Sequence, residues 1–141
     1  MTSVTSERAA APVGLFPHAR RVGNLLFLSG IGPRVRGSKT IPGVSLDAAG
    51  NVISKDIVAQ CHSVFSNVRA ILEDAGTSWE RLVDVTVFLT DMKSDFEAYN
   101  RLWAEYFSKA QPCRTTVEVT CLPTPIAIEL KCIAEMPEET P

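Results

Sequence analysis

The sequence predicts an α+β domain: a β-sheet with two helices packed on one of its faces. Three observations predict it. Short apolar segments that alternate as strands flank two longer segments whose apolar residues recur every three or four positions. The order of these segments reads β-β-α-β-α-β-β, which suits helices segregated to one side of a sheet. No internal repeat or low-complexity run interrupts that order, and 141 residues leave room for one core and little else.

The elements follow in chain order. Residues 1–12 are small and polar and are expected to be a disordered N-terminal segment. A first strand is expected at 19–22, and "NLLFLSG" at 24–30 is an apolar run closed by glycine, so the two make a hairpin through Gly23-Asn24. The stretch from Gly32 to Asn51 is rich in Gly, Pro and Ser without sustained periodicity, and reads as a long loop of the kind that often carries function. From Asp56 to Ala75, Ile57, Cys61, Val64, Phe65, Val68, Ile71 and Leu72 fall on one helical face, with Ser54 as the expected N-cap and Gly76 as the stop. "LVDVTVFL" at 82–89 alternates as a strand. "SDFE" then opens a second helix, Ser94 and Glu97 having the spacing of a capping box, and Phe96, Tyr99, Trp103 and Phe107 form its core stripe. Two final strands, 115–121 and 126–134, are joined by "LPTP". The single domain is placed at 13–135, with a solvated tail over 136–141.

Composition narrows the function classes. Apolar content of 45% and charged content of 21% are ordinary for a globular protein, and no apolar run is long enough to span a bilayer. The N-terminus lacks a basic start followed by an apolar segment, so no secretory signal is read there. The four cysteines, Cys61, Cys113, Cys121 and Cys132, show no C-x-x-C pairing and the only histidines are His18 and His62, which argues against a zinc site. They are expected to be reduced, mostly buried thiols of a cytoplasmic protein. Net charge is −2, but between Arg8 and Leu46 lie Arg20, Arg21, Arg34, Arg36 and Lys39 with no acid among them. Such asymmetry fits either an anion-binding surface or solvated loop charges balanced elsewhere.

The last two strands pose a sharper question. Arg114 stands at the mouth of one apolar, β-branched segment and Glu129 in the middle of the next. Alternation puts Arg114, Thr116 and Glu118 on one face of their strand, and Ala127, Glu129, Lys131 and Ile133 together on one face of theirs. If these strands pair, Arg114 and Glu129 approach each other beside the loops, as a structural ion pair or as two groups of a site.

"CRTTVEVTCLPTPIAIELKCIA" resembles the C-terminal signature of the RidA/YjgF family. "GNLLFLSG", "AQCHSVFSNVRAILEDAG" and "RLVDVTVFLTDMKSDFEAYNRLWAEYF" are similar to that family's glycine-closed strand, first helix, and next strand and helix. The likeness covers about residues 13–135, and the basic insertion "PRVRGSKTIPGVSLDAAGNV" resembles that of the bacterial 2-aminomuconate deaminases. It implies a chorismate-mutase-like fold with a mixed sheet, a homotrimer (or a pair of trimers) with sites between subunits, and no metal or organic cofactor. It also implies a hydrolase acting on C–N bonds. Arg114 would hold the substrate carboxylate and Glu129 would position the attacking water. The implied reaction turns 2-aminomuconate into 4-oxalocrotonate and ammonia in aromatic-compound catabolism. The alternatives are a general 2-imino acid or 2-aminoacrylate deaminase, and a non-catalytic metabolite-binding or chaperone member. Phe16, Ile31 and Thr116 stand where many members carry tyrosine, glutamine and cysteine, and change the pocket wall. Arg34, Arg36 and Lys39 are expected to contact the second carboxylate of a dicarboxylate substrate. RNA cleavage, an activity attributed to some relatives, is disfavoured by the net negative charge and by the lack of interleaved basic and aromatic residues. Neither nucleic acid nor membrane is an expected partner.

Overall fold

In the computed structural model, which describes residues 2–138, β6 (Leu82–Leu89) stands between two strands that share its hydrogen bonds on either side. β8 (Ile128–Glu135) pairs with it antiparallel and β7 (Cys113–Glu118) pairs with it parallel. Parallel neighbours need a crossover, and helix α2 (Met92–Tyr106) supplies it. Beyond β8 come β3 (Leu25–Leu28), β2 (Ala19–Val22) and β1 (Thr2–Val4), giving the order β1-β2-β3-β8-β6-β7. The last two strands therefore do not pair with each other, contrary to the simplest expectation for segments joined by a short Pro-rich link.

Helix α1 (Ile57–Asp74) and α2 cover one face of this sheet. Val85, Val87 and Leu89 of β6, with Ile128, Leu130 and Cys132 of β8, are buried against Cys61, Val64, Phe65, Val68, Ile71 and Leu72. Tyr99, Trp103 and Phe107 complete the core, while Phe96, expected with them, is 37% exposed at the end of its stripe. The opposite face carries Phe88, Glu129, Lys131 and Ile133, half-buried, with Leu25 and Phe27 exposed. Both helices lie on the other side of the sheet.

The helix starts differ from expectation by a turn or less. Asp56 caps α1, accepting from Val58 and Ala59 N–H, because its side chain is one residue from the first helical position and Ser54 is three. Asp91 caps α2 by accepting from Ser94 N–H, so Ser94 lies inside the helix and makes no capping box with Glu97. Gly76 ends α1 as expected: at φ 89° its N–H reaches Glu73 O, and Thr77 N–H reaches Leu72 O. The long loop contains its own hairpin, β4 (Val44–Leu46) against β5 (Val52–Lys55).

The N-terminal segment is not disordered over its described part. β1 pairs with β2, Ser6 and Ala9 are buried, and Arg8 forms ion pairs with Glu73 and Asp74 at 3.1 and 2.9 Å. Small side chains make this segment look solvated; its backbone is what is bound. The expected tail, 136–141, begins with Met136 buried and its N–H on Asn24 O, and its last three residues lie outside the described range. All four cysteines are free, but only Cys61 and Cys132 are buried; Cys113 and Cys121 are exposed.

Candidate active site

Arg114 and Glu129 do not meet within one chain. Arg114 is in register with Val85 of β6 and so points to the helix side, whereas Glu129 is in register with Phe88 and points to the open side. Strand spacing and rise put their Cα atoms about 14 Å apart as well. The expected approach of the two charges fails because β6 lies between their strands.

Arg114 is held at the sheet edge by α2. Its guanidinium carbon lies 5.2 Å from the Tyr99 ring centre and 5.0 Å from that of Trp103, and Nη1 donates to Asn100 Oδ1 at 2.9 Å. Thr116, next on the same face, shares a 2.8 Å hydrogen bond with the Tyr99 hydroxyl. Rings hold the guanidinium plane without neutralising its charge.

Glu129 lines a cavity of about 240 Å³. Gly30 makes room for it: a Cβ there would stand 2.9 Å from Oε2 and 3.1 Å from the carboxyl carbon. After Gly30 the chain returns to β8, Ile31 and Leu130 exchanging two 2.8 Å backbone hydrogen bonds, which seats this segment against the strand that carries the carboxylate. Glu129 has no hydrogen bond or ion pair with any described residue, and burial pushes its pKa above the usual carboxylate range. Such a group is poised to accept and return a proton.

The rest of the wall is largely apolar: Phe16, Ile31, Ile126 and Ala10–Val13 of the N-terminal segment. Its polar members face the backbone. His18 accepts from Ser6 N–H at Nδ1 (2.9 Å), so Nε2 carries the proton donated to Ala10 O (2.7 Å). Ser29 Oγ donates to Pro17 O, and Asn67 Nδ2 donates to Gly32 O and Arg34 O.

Phe16, Ile31 and Arg34 thus join Glu129 in the cavity, while Arg114, Thr116, Arg36 and Lys39 do not line it. Arg34 donates through Nη2 to Ala11 O at 2.7 Å; Arg36 is turned to Ala9 O and Ser6 O, both at 2.7 Å; Lys39 is exposed. Arg36 is a structural cation, not a free one. Sequence reading missed Asn67 and the Ala10–Val13 wall. Asn67 and Gln60, seven residues apart on the buried face of α1, were a visible signal: polar side chains at core positions must find partners. Among the described residues no three His, Cys, Asp or Glu side chains are placed to hold a metal, and no helix is long and apolar enough to cross a membrane.

The sequence pattern of the endoribonuclease L-PSP family matches residues 6–136. The chain belongs to this family, the RidA/YjgF proteins. A RutC family protein of Pyrococcus abyssi is 37% identical over 132 residues, covering 93% of this chain and 94% of the relative. The chloroplastic Reactive Intermediate Deaminase A of Arabidopsis thaliana is 32% identical over 133 residues, covering 94% of this chain and 65% of that longer one. Among solved structures, the E. coli YjgF gene product superposes with a TM-score of 0.81 at 30% identity, covering 96% of this chain and 98% of that one. E. coli TdcF with bound serine gives 0.83 at 27% identity, covering 97% and 100%. The RidA/YjgF fold, a mixed sheet with two helices on one face, is therefore the fold of this chain.

Proposed function

We propose that this RidA/YjgF protein is an enamine/imine deaminase that hydrolyses 2-imino acids to 2-oxo acids and ammonia. The observation that carries the reading is Glu129: a carboxylate with its pKa raised by burial, without a protein partner, facing an apolar cavity. A half-buried acid left unpartnered costs the fold something and is useful to a ligand or a proton. Membership of a family that includes a Reactive Intermediate Deaminase, and the serine bound to TdcF, support an amino-acid-like substrate.

The working unit is a homo-oligomer, read as a trimer or a pair of trimers, in which Arg114 of one subunit closes the Glu129 cavity of another. The sheet face away from the helices, with Leu25 and Phe27 exposed and Phe88 and Ile133 half-buried, supports this, as does the placing of the two charges on opposite faces of one subunit. The guanidinium, stacked on Tyr99 and Trp103, offers paired N–H donors to the substrate carboxylate. Glu129 takes a proton from water as its oxygen bonds to the C=N carbon. Glu129 passes that proton to nitrogen, giving the tetrahedral amino-alcohol; it then carries the hydroxyl proton to nitrogen as the C–N bond breaks, and ammonia leaves behind a ketone. The protein mainly orients reactants that are already reactive.

The general 2-imino acid reading is preferred to 2-aminomuconate. The basic loop expected to bind a second carboxylate contributes only Arg34 to the cavity, and that side chain already holds Ala11 O. The test is ammonia release from 2-imino acids generated in situ by an amino acid oxidase, run beside freshly made 2-aminomuconate. Acceleration over the spontaneous rate on the simple imines is the expected result; none on any substrate overturns the deaminase reading.

A further inference from the structure

The arm Ser6–Val13 is anchored at its start by the Ser6 and Arg8 side chains on α1, and from Ala9 to Ala11 through its backbone. Arg36 donates to the carbonyls of Ser6 and Ala9, Arg34 to that of Ala11, and His18 clamps Ser6 N–H and Ala10 O. Ala9 also bridges to Val35, and Ser6 Oγ donates to Asp74 at 2.6 Å. Directly after these anchors the arm becomes cavity wall, Ala10 to Val13 facing the same space as Phe16, Ile31 and Ile126. His18, Ser29 and Asn67 in the wall turn their polar groups to backbone partners, so on the side of the arm a substituent entering the cavity meets mainly carbon.

We propose that the arm is the specificity wall of the site, that it selects 2-imino acids with a large apolar side chain, and that Arg36 is the positioning residue that sets it. The proposal rests on the deaminase reading above. Arg36 acts through the arm, not on substrate: its charged donors fix two carbonyls that bracket the turn into the wall. Each buried methylene is worth about fourfold in binding, so three more carbons give the leucine-derived imine roughly a 60-fold advantage over the alanine-derived one in kcat/KM.

The experiment measures kcat and KM for both imines with the full chain, Arg36→Ala and Val13→Trp, with glutamate-derived imine as a third substrate. In Arg36→Ala, KM for the leucine-derived imine should rise about tenfold with kcat nearly held, while the alanine-derived reaction moves far less, since uniform binding alone is lost. Val13→Trp adds bulk to the wall and replaces no charged residue, and should cost the leucine-derived imine at least about tenfold more than the alanine-derived one. It keeps the test alive if Arg36→Ala does not fold. Both variants retaining the native preference, or a wild-type protein that turns over all three imines equally or prefers the acidic one, overturns the specificity wall while leaving the deaminase reading intact. A wild-type protein inactive on every imine sinks that reading itself.

Discussion

Arg114 and Glu129 are prepared in opposite ways. Arg114 lies on an edge strand, half-exposed, and is surrounded by contacts: two aromatic rings and an asparagine carbonyl fix its plane while its charge stays whole. Glu129 lies on an inner strand, half-buried, and its carboxylate has no hydrogen bond or ion pair with a described residue; the absence of a side chain at Gly30 gives it a place. A clamp for a carboxylate needs geometry and a permanent charge, so surrounding it with rings suits it. A group that must take up and release a proton needs its basicity raised, so leaving it half-buried and unpaired suits it. The two groups also face opposite sides of the sheet, so the proposed deaminase needs each from a different subunit.

The largest effect is expected at the clamp. Arg114→Ala should abolish turnover with the fold intact, and Arg114→Lys should lose about 10²-fold or more, because an ammonium cannot reproduce paired N–H donors or stack on Tyr99 and Trp103. Steady-state kinetics with circular dichroism checks this; near-normal activity in the lysine variant would remove the distinction between the two half-sites.

Glu129→Gln should lower kcat by roughly 10²–10⁴-fold. It should also raise the melting temperature at neutral pH. Burial raises the Glu129 pKa above its unfolded value, so the stability linked to this group is present below the ordinary carboxylate range and lost as pH rises through the raised pKa. The glutamine variant lacks that loss. Activity of the native protein should fall as pH drops through the raised pKa, since the base is then protonated. A pH series of melting curves and rates for both proteins reads the two signs together.

Gly30→Ala should be milder, about 10- to 100-fold in kcat with little change in stability, because its backbone needs no positive φ and the new Cβ meets only the Glu129 carboxylate. A Gly30→Ala enzyme as fast as the native one would mean that the Glu129 position is not tuned.

Much of this was legible in the sequence. Strand alternation and the three-four spacing of α1 give the elements, and the signature around Arg114 and Glu129 gives the family. The pairing of strands was not legible, because alternation records which face a residue takes and not which neighbour accepts its hydrogen bonds. That is why Arg114 and Glu129 could be imagined side by side when β6 separates them. The arm was illegible for a related reason: Ala9, Ala10 and Ala11 offer no side-chain signal, and the groups that hold their backbone, His18, Arg34 and Arg36, lie far along the chain. The same distance made the loop arginines look free for substrate.

Mixing two inactive variants tests the composite site most directly. Arg114→Ala and Glu129→Gln are unfolded and refolded together at equal concentrations, and ammonia release is compared with each variant alone. If every site takes its arginine from one subunit and its glutamate from another, random assembly restores about a quarter of the sites, and about a quarter of native activity returns. If one subunit supplies both residues, no intact site can form, and a mixture as inactive as its components would contradict the account.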